Sequence, residues 1–302
     1  MAKHRVLVTG ATGFIGRYVT QELNSRGLRV IGLDRHRSAE AFHQEAEVIL
    51  GDVRDPSAVT EAMGQVDSWV HLAGVLGTQE TITNPVPAAE TNVIGGLNVL
   101  QAAAQYHLPG VNISVGNWFE DNTYSLTKHC IERFCSMYRQ YRSLPVSVVR
   151  GFNAYGPGQS VAAPYGPSKV RKIVPSFVSR ALNGDVIEIY GDGKQVMDMI
   201  YVSDLAFVIA EALEFTIGGG RPSGAFEAGT GRRTTVLDIA HKVTELMGAG
   251  KVMHLPLRPG ESPGATVLAD TSTLEPLGID ARSFVPLEDG LRKTIDYYAA
   301  RA

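Results

Sequence analysis

The feature that most constrains this chain is a strand-like run that breaks into glycine-spaced residues and then into a helical pattern. "RVLVTG" (5–10) reads as a buried strand. "VTGATGFIG" (8–16) reads as a turn, and "IGRYVTQELNSRG" (15–27) as a helix ended by Gly27. Gly10, Gly13 and Gly16 permit a tight turn, close approach of a phosphate-bearing ligand and close helix–strand packing. The free N–H groups at the helix start then face the phosphates, with Thr12, Phe14 and Ile15 in the same turn. The spacing is GxxGxxG rather than GxGxxG, so the placement between strand and helix carries the argument.

"RVIGLD" (29–34) is the next strand, and Asp34 ends it about 20 residues beyond the turn, where an acid bonds the adenosine ribose hydroxyls. An anion there repels a 2′-phosphate, which favours NAD over NADP. Arg35 and Arg37 follow directly and weaken that preference. "AEVILGD" (46–52) is a third strand, whose end, Asp52 and Val53, falls where the adenine would lie.

The alternation continues. A helix is expected over 56–63, a strand over "SWVHLAG" (68–74), a helix over 88–106, a strand over "GVNISVG" (110–116), then a helix carrying "NTYSLTKHCIERF" (122–134) and a strand over 145–153. Strands alternating with helices predict a Rossmann-type, doubly wound parallel sheet covered on both faces. After residue 153 the texture changes to the loop-like "AYGPGQSVAAPYGPSK" (154–169), then helices over 174–182, 203–214 and 235–247, a strand over 186–191 and a last helix over 288–300. We therefore expect an NAD-binding domain over 1–153, a smaller α/β substrate lobe over 154–302 with segments near 196–215 returning to the first, and a ligand cleft between them.

Composition removes other classes. Of the 302 residues, 44% are hydrophobic and 20% charged, as in an ordinary globular protein, and a net charge of −3 without a long basic block is not a nucleic-acid footprint. No apolar run approaches a membrane span, and the short run in "MAKHRVLVTG" does not read as a signal peptide. Cys130 and Cys135 lie five apart in one predicted helix, which fits a reducing cytoplasm. The eight histidines have no ligand spacing, and no metal is expected.

Taken together these motifs resemble the extended short-chain dehydrogenase/reductases, and within them the nucleotide-sugar epimerase/dehydratase group, over nearly the whole chain. "VTGATGFIG" looks like the family's cofactor turn, "GDVRD" (51–55) its adenine-side acid, and "HLAG" (71–74), with Leu72, Ala73 and Gly74, its fourth-strand end. Asn92 falls at the structural position of the long helix. "YSLTK" (124–128) falls at the active-site Tyr and Lys, and "RGFNAYGPGQ" (150–159) is similar to the family's RxxNxYGPG segment. "IEIYGDGKQVMDMIYVSDLA" (187–206) and "LRPGE" (257–261) fall where the family handles the nucleotide diphosphate.

The resemblance implies that Tyr124 removes a proton from a sugar hydroxyl while the carbon hydride passes to NAD. Model tyrosine titrates too high for a neutral-pH base, so Lys128 and the nicotinamide charge are expected to favour the phenolate. Lys128 also holds the nicotinamide ribose. Asn117, Asn153, Val174, Tyr190 and Arg258 are the expected substrate contacts, and the partner is a second copy of the chain, joined through the 88–106 and Tyr124 helices.

Three departures qualify the implied site. The usual Ser/Thr at the end of the fifth strand falls on Val115 or Gly116, leaving Ser114, Asn117 or Thr123 to supply the hydroxyl or its substitute. The loop before Tyr124 is short, so the site is open or is closed by residues 160–169. Met197 replaces the diphosphate-binding arginine, which leaves Arg258, with Lys169, Arg171 or Lys172 as substitutes. The Asp–Glu pair that the 4,6-dehydratases carry just after the Ser/Thr is replaced by Gly, Asn or Trp, and Glu120 and Asp121 are out of register. This favours C4 epimerisation. The alternatives are a 4,6-dehydratase, a ketoreductase or a non-catalytic dinucleotide-binding sensor.

Overall fold

The computed structural model describes residues 3–37, 46–258 and 264–301. The glycine turn lies where the sequence places it. β1 (Arg5–Thr9) runs into the turn, α1 (Phe14–Ser25) follows, and β2 (Arg29–Asp34) and β3 (Glu47–Leu50) come next. The alternation proceeds through α2 (Pro56–Met63), β4 (Ser68–His71), α3 (Thr78–Thr83) and α4 (Val86–Ala88). After a wider turn, α5 (Gly95–Tyr106), β5 (Gly110–Val115), α6 (Thr123–Arg142), β6 (Val146–Gly151) and β7 (Asn153–Tyr155) complete the first half.

The second half holds α7 (Ile173–Leu182), β8 (Ile187–Tyr190), β9 (Val196–Met197), β10 (Met199–Tyr201) and α8 (Val202–Ile217). It ends with β11 (Phe226–Ala228), β12 (Thr234–Thr235), α9 (Val236–Met247), β13 (Val252–Leu255), β14 (Thr266–Val267) and α10 (Leu287–Ala299).

Seven parallel strands form the central sheet in the order β11-β6-β5-β4-β1-β2-β3, a doubly wound α/β fold. The unbroken apolar runs follow from cover on both faces. Alternation along β1 sends Val6 and Val8 into a core with α1 and α8, and Leu7 into a core with α2, α5 and α6. Strand order reverses beside β1, so β1 and β4 run side by side into the mouth where a ligand binds such sheets.

The second half is divided between two cores. α8, within the stretch expected to return, packs on the sheet, and so do β11 and residues 274–284. A separate core of Val174, Phe177, Ile187, Ile189, Ile239, Val243 and Leu291 forms the smaller lobe.

The long helix expected over 88–106 is not continuous. Residues Ala89–Ile94 form a π-helical turn, one residue wider than an α-turn. The close packing behind it explains the adjustment: a Cβ on Gly95 would lie 2.6 Å from Val53, and one on Gly96 would lie 2.8 Å from Ile131. The widened turn carries Asn92.

Candidate active site

A cavity of about 670 Å³ opens between the sheet's carboxyl edge and the smaller lobe, within the usual size of a ligand cleft. Gly10 has φ +72°, where a side chain is strained, and a Cβ there would lie 2.9 Å from the Ala73 amide nitrogen. At Gly16 a Cβ would lie 2.1 Å from the Gly10 carbonyl oxygen, so α1 sits against the turn only because that position is bare. Asp34 Oδ2 accepts from Thr12 N at 3.1 Å, which ties the second strand to the turn. Arg54 holds the Asp52 carboxyl below its usual range, with Nη2 to Oδ2 at 2.7 Å.

The residues present fit a dinucleotide: a bare turn at a helix start, an acid at the end of β2, and an apolar floor of Val53, Leu72 and Ala73. The expected cofactor residues Gly10, Thr12, Gly13, Phe14, Ile15, Gly16, Asp34, Arg35, Asp52, Val53, Leu72, Ala73 and Gly74 all line this one cavity.

Asn92 is the exception. It is buried behind the wall, where its side chain bonds Val75 N and O and donates to Thr127 Oγ1 at 3.0 Å. It joins the end of β4 to α6 without facing the cavity. Beneath them Thr9 Oγ1 accepts from Leu72 N and Ala73 N, both at 3.2 Å, and pairs with His71 Nδ1 at 2.7 Å. Burial, with Lys128 nearby, pushes His71 down to about 3, so its imidazole is neutral.

α6 delivers Tyr124 and Lys128 one turn apart. Its start is set by Asn122, whose Oδ1 accepts from Ser125 N at 3.0 Å. Burial pushes the Lys128 ammonium down to about 8 and the Tyr124 phenol up to about 12. Without ligand, desolvation of the phenol dominates; the expected preference for phenolate rests on Lys128 and the nicotinamide charge together.

Lys128 Nζ lies 3.5 Å from the Ile113 carbonyl, and a Cβ on Gly74 would come within 3.2 Å of it. Ser114 lines the same cavity, is 2% exposed, and its Oγ has no hydrogen-bond partner among the described residues. Thr123, the other hydroxyl considered, donates to the Thr81 carbonyl at 3.0 Å.

Across the cavity lie Asn117, Asn153, Val174, Tyr190 and Arg258. The Arg258 guanidinium stands 4.4 Å from the Tyr190 ring centroid. Of the three basic substitutes, Lys169 is exposed and off the cavity. Arg171 lines it but is engaged by Glu188 Oε2 at 3.0 Å and by the Tyr190 hydroxyl. Lys172 is held in the cavity wall, where burial pushes its ammonium down against the opposing pull of Glu80. Pro259, Gly260 and Glu261 of "LRPGE" lie outside the described residues.

Sequence reasoning did not single out Glu80, set Glu120 aside as out of register and named Lys172 only as a basic substitute, and all three line the cavity. The sole signal for Glu120 was an acid in the loop just before α6. Among the described residues no group of three His, Cys, Asp or Glu side chains gathers to hold a metal, and no helix is long and apolar enough to cross a membrane.

Comparison with known proteins agrees with this geometry. Residues 6–226 match the model of the NAD dependent epimerase/dehydratase family. The UDP-N-acetyl-alpha-D-glucosaminuronate decarboxylase of Bacillus cytotoxicus is 27% identical, with 98% of each chain covered. The dTDP-glucose 4,6-dehydratase of Streptomyces niveus is also 27% identical, over 97% of this chain and 92% of that one. Among solved structures, the UDP-glucose 4-epimerase of Thermus thermophilus in complex with NAD superposes with a TM-score of 0.86, at 28% identity over 99% of this chain and 100% of that one. Its glycine turn, its YxxxK helix and its match over most of its length place this chain in the NAD-dependent epimerase/dehydratase family, with NAD as its cofactor.

Proposed function

We propose that this protein is a nucleotide-sugar epimerase acting at sugar C4. The observation that carries the reading is the placement of Tyr124, Lys128 and the unpartnered Ser114 hydroxyl in one cavity with the cofactor turn. Likeness to the Thermus thermophilus UDP-glucose 4-epimerase, and to the Thermotoga maritima one solved with UDP-glucose (27% identity, TM-score 0.87), supports it. The sequence relatives, named as a decarboxylase and a dehydratase, support the family but not this reaction.

NAD, when bound, supplies hydride acceptance and return at a sugar carbon. The α1 N-terminus and the bare turn hold its pyrophosphate, and Asp34 holds the adenosine ribose. Lys128 holds the nicotinamide ribose, and its charge favours the Tyr124 phenolate. Tyr124 takes the proton of the sugar hydroxyl and gives it back after the keto sugar has turned over. Ser114 donates to the same oxygen. Tyr190 and Arg258 take the nucleotide end, with Lys172 supplying the cation that Met197 lacks. Asn117, Asn153 and Val174 bound the sugar side.

The reading includes a cytoplasmic location, consistent with two unpaired cysteines. It also includes a homodimer through α5 and α6. Leu126, Met137 and Tyr141 are exposed along one stripe of α6, with Ile94 exposed just before α5.

Incubation with a panel of UDP- and dTDP-sugars tests it. Interconversion of C4 epimers without net NADH is expected. A stable keto-deoxy product would identify a dehydratase, release of carbon dioxide from a uronic acid a decarboxylase, and NAD binding without turnover a sensor.

A further inference from the structure

The end of the cavity beside Tyr190 holds an acid that the proposed chemistry does not use. Glu188 and Tyr190 lie two apart on β8, so both side chains stand on one face of that strand, and both line the cavity. Ile187 and Ile189 stand on the other face, in the core of the smaller lobe. A carboxylate in the wall of a cavity that takes a diphosphate needs a reason, because like charges repel.

Two arginines offset that repulsion and fix the group. Arg180, on α7 and outside the cavity wall, meets Glu188 Oε2 at 2.6 Å and donates to the Val186 carbonyl at 2.9 Å. Arg171, which lines the cavity, donates through Nη1 to the same Oε2 at 3.0 Å and to the Tyr190 hydroxyl. Both arginines thus meet one oxygen. Among the described residues no hydrogen bond reaches Oε1, and the side chain keeps 21% of its surface accessible. The wall therefore offers a fixed acceptor, a cation beside it and the Tyr190 ring next to both.

We propose that Glu188 selects the base of the nucleotide: its carboxylate accepts from a ring N–H that has a carbonyl beside it, and Arg171 donates to that carbonyl. The proposal rests on the reading of the site as one for a nucleotide sugar. Uracil, thymine and guanine carry such an N–H and carbonyl side by side. Cytosine and adenine carry a bare ring nitrogen at that position, and a carboxylate repels its lone pair. The neighbouring carbonyl polarises the N–H, and an ionised acceptor strengthens the bond further. A site built around such a bond rejects an analogue that lacks the donor, because the buried acceptor is then left unpaired. Arg258 and Lys172 remain for the diphosphate, away from the acid.

Nucleoside diphosphates without a sugar test this, so that the base is read apart from turnover. Titration calorimetry of the NAD-loaded protein compares UDP, dTDP, GDP, CDP and ADP, which also separates a pyrimidine source of the N–H from a purine one. The tightest of UDP, dTDP and GDP is expected to bind at least about 10-fold more tightly than CDP and ADP, the scale of a hydrogen bond to a charged group. Its ring-N-methyl counterpart (N3-methyl-UDP, N3-methyl-dTDP or N1-methyl-GDP) loses a similar factor. Glu188→Ala weakens the unmethylated nucleotide by about 10-fold and leaves the methylated one unchanged. A purely structural role for the two ion pairs would weaken both ligands together. Glu188→Gln keeps the shape and a neutral acceptor, falls between, and carries the comparison if Glu188→Ala melts early. Melting temperature and NAD binding check that each variant is folded. CDP or ADP bound as tightly as the best nucleotide, parallel losses for the methylated and unmethylated ligands, or no loss for the unmethylated one overturns the proposal. Failure of the epimer panel with Glu188-dependent base selection intact would overturn only the C4 epimerase reading, and binding of no nucleotide would overturn both.

Discussion

The side chain of Asn92 pairs with the backbone of Val75 as a neighbouring strand would, accepting from its N–H at 2.7 Å and donating to its carbonyl at 3.1 Å. The same amide reaches Thr127 on α6, one residue before Lys128. A side chain outside the cavity thus fixes the spacing between the end of β4 and the lysine. Asn92→Asp replaces both donors with acceptors and faces a carboxyl to a buried carbonyl. It is expected to cost about 1–3 kcal/mol of stability, the penalty for an unpaired buried polar group. It is also expected to weaken NAD binding. Urea unfolding and a cofactor titration measure the two effects.

Lys128 is stable in its place only at a cost. Burial lowers its ammonium from the ordinary 10.5 to about 8. Between those values the unfolded chain binds the extra proton, so stability rises with pH across that window, and the full penalty is present below pH 8. Lys128→Met is therefore expected to be more stable than wild type at pH 7 without ligand, by on the order of 2–3 kcal/mol. The advantage fades as pH rises toward 10.5. NAD affinity and turnover fall in the same variant. Denaturant melts at pH 7 and pH 10 check the sign, and a variant less stable at pH 7 contradicts it.

Local patterns carried the parts of this fold that could be read from sequence. The first strand, bare turn and helix form one continuous segment, and Asp34 ends a strand whose neighbour is β1, so the cofactor end followed from short-range logic. The YxxxK pair is a single helical turn, and periodicity suffices for it. What could not be read depends on long-range packing or on side-chain direction in a loop. Glu120 enters the cavity because Asn117 and Asn122 turn it there, not because of its offset from β5. The π-helical turn that aims Asn92 follows from Val53 and Ile131 crowding Gly95 and Gly96, contacts between separate elements. β11 joins the sheet from beyond residue 215 because β6 leaves an edge to be paired.

The apolar stripe on α6 gives the proposed dimer a direct check. Leu126 is 56% exposed and Tyr141 72% exposed, on the face away from the sheet. The proposed association through α6 would cover these side chains together with the exposed Arg133 between them. Leu126→Glu combined with Met137→Glu places charges in that stripe without touching either core. Light scattering is expected to read twice the chain mass for wild type and the chain mass for the double variant, with unchanged circular dichroism. A wild-type monomer at micromolar concentration would remove the dimer from the reading.

The Tyr124 phenol provides the last prediction. Burial alone places it at about 12, with no lowering contribution from Lys128 in the empty protein. A phenol with that value is protonated throughout the neutral range, so the unliganded protein holds no useful base at this position. The positive charge of bound NAD opposes this, and Lys128, pushed down to about 8, carries its own charge only below that pH. An opposite charge within a few ångströms lowers an acidic group by roughly 1–3 pH units. The absorbance difference at the phenolate band between wild type and Tyr124→Phe isolates this residue from the other ten tyrosines. Without NAD its step is expected above pH 11, and with NAD it moves down by about 2 units. In Lys128→Met the step moves by the same amount, because a lysine at about 8 is already neutral at the pH where the phenol titrates. A step below pH 9 in the empty protein would mean that the phenol is solvated or already paired, against the burial that raises it here.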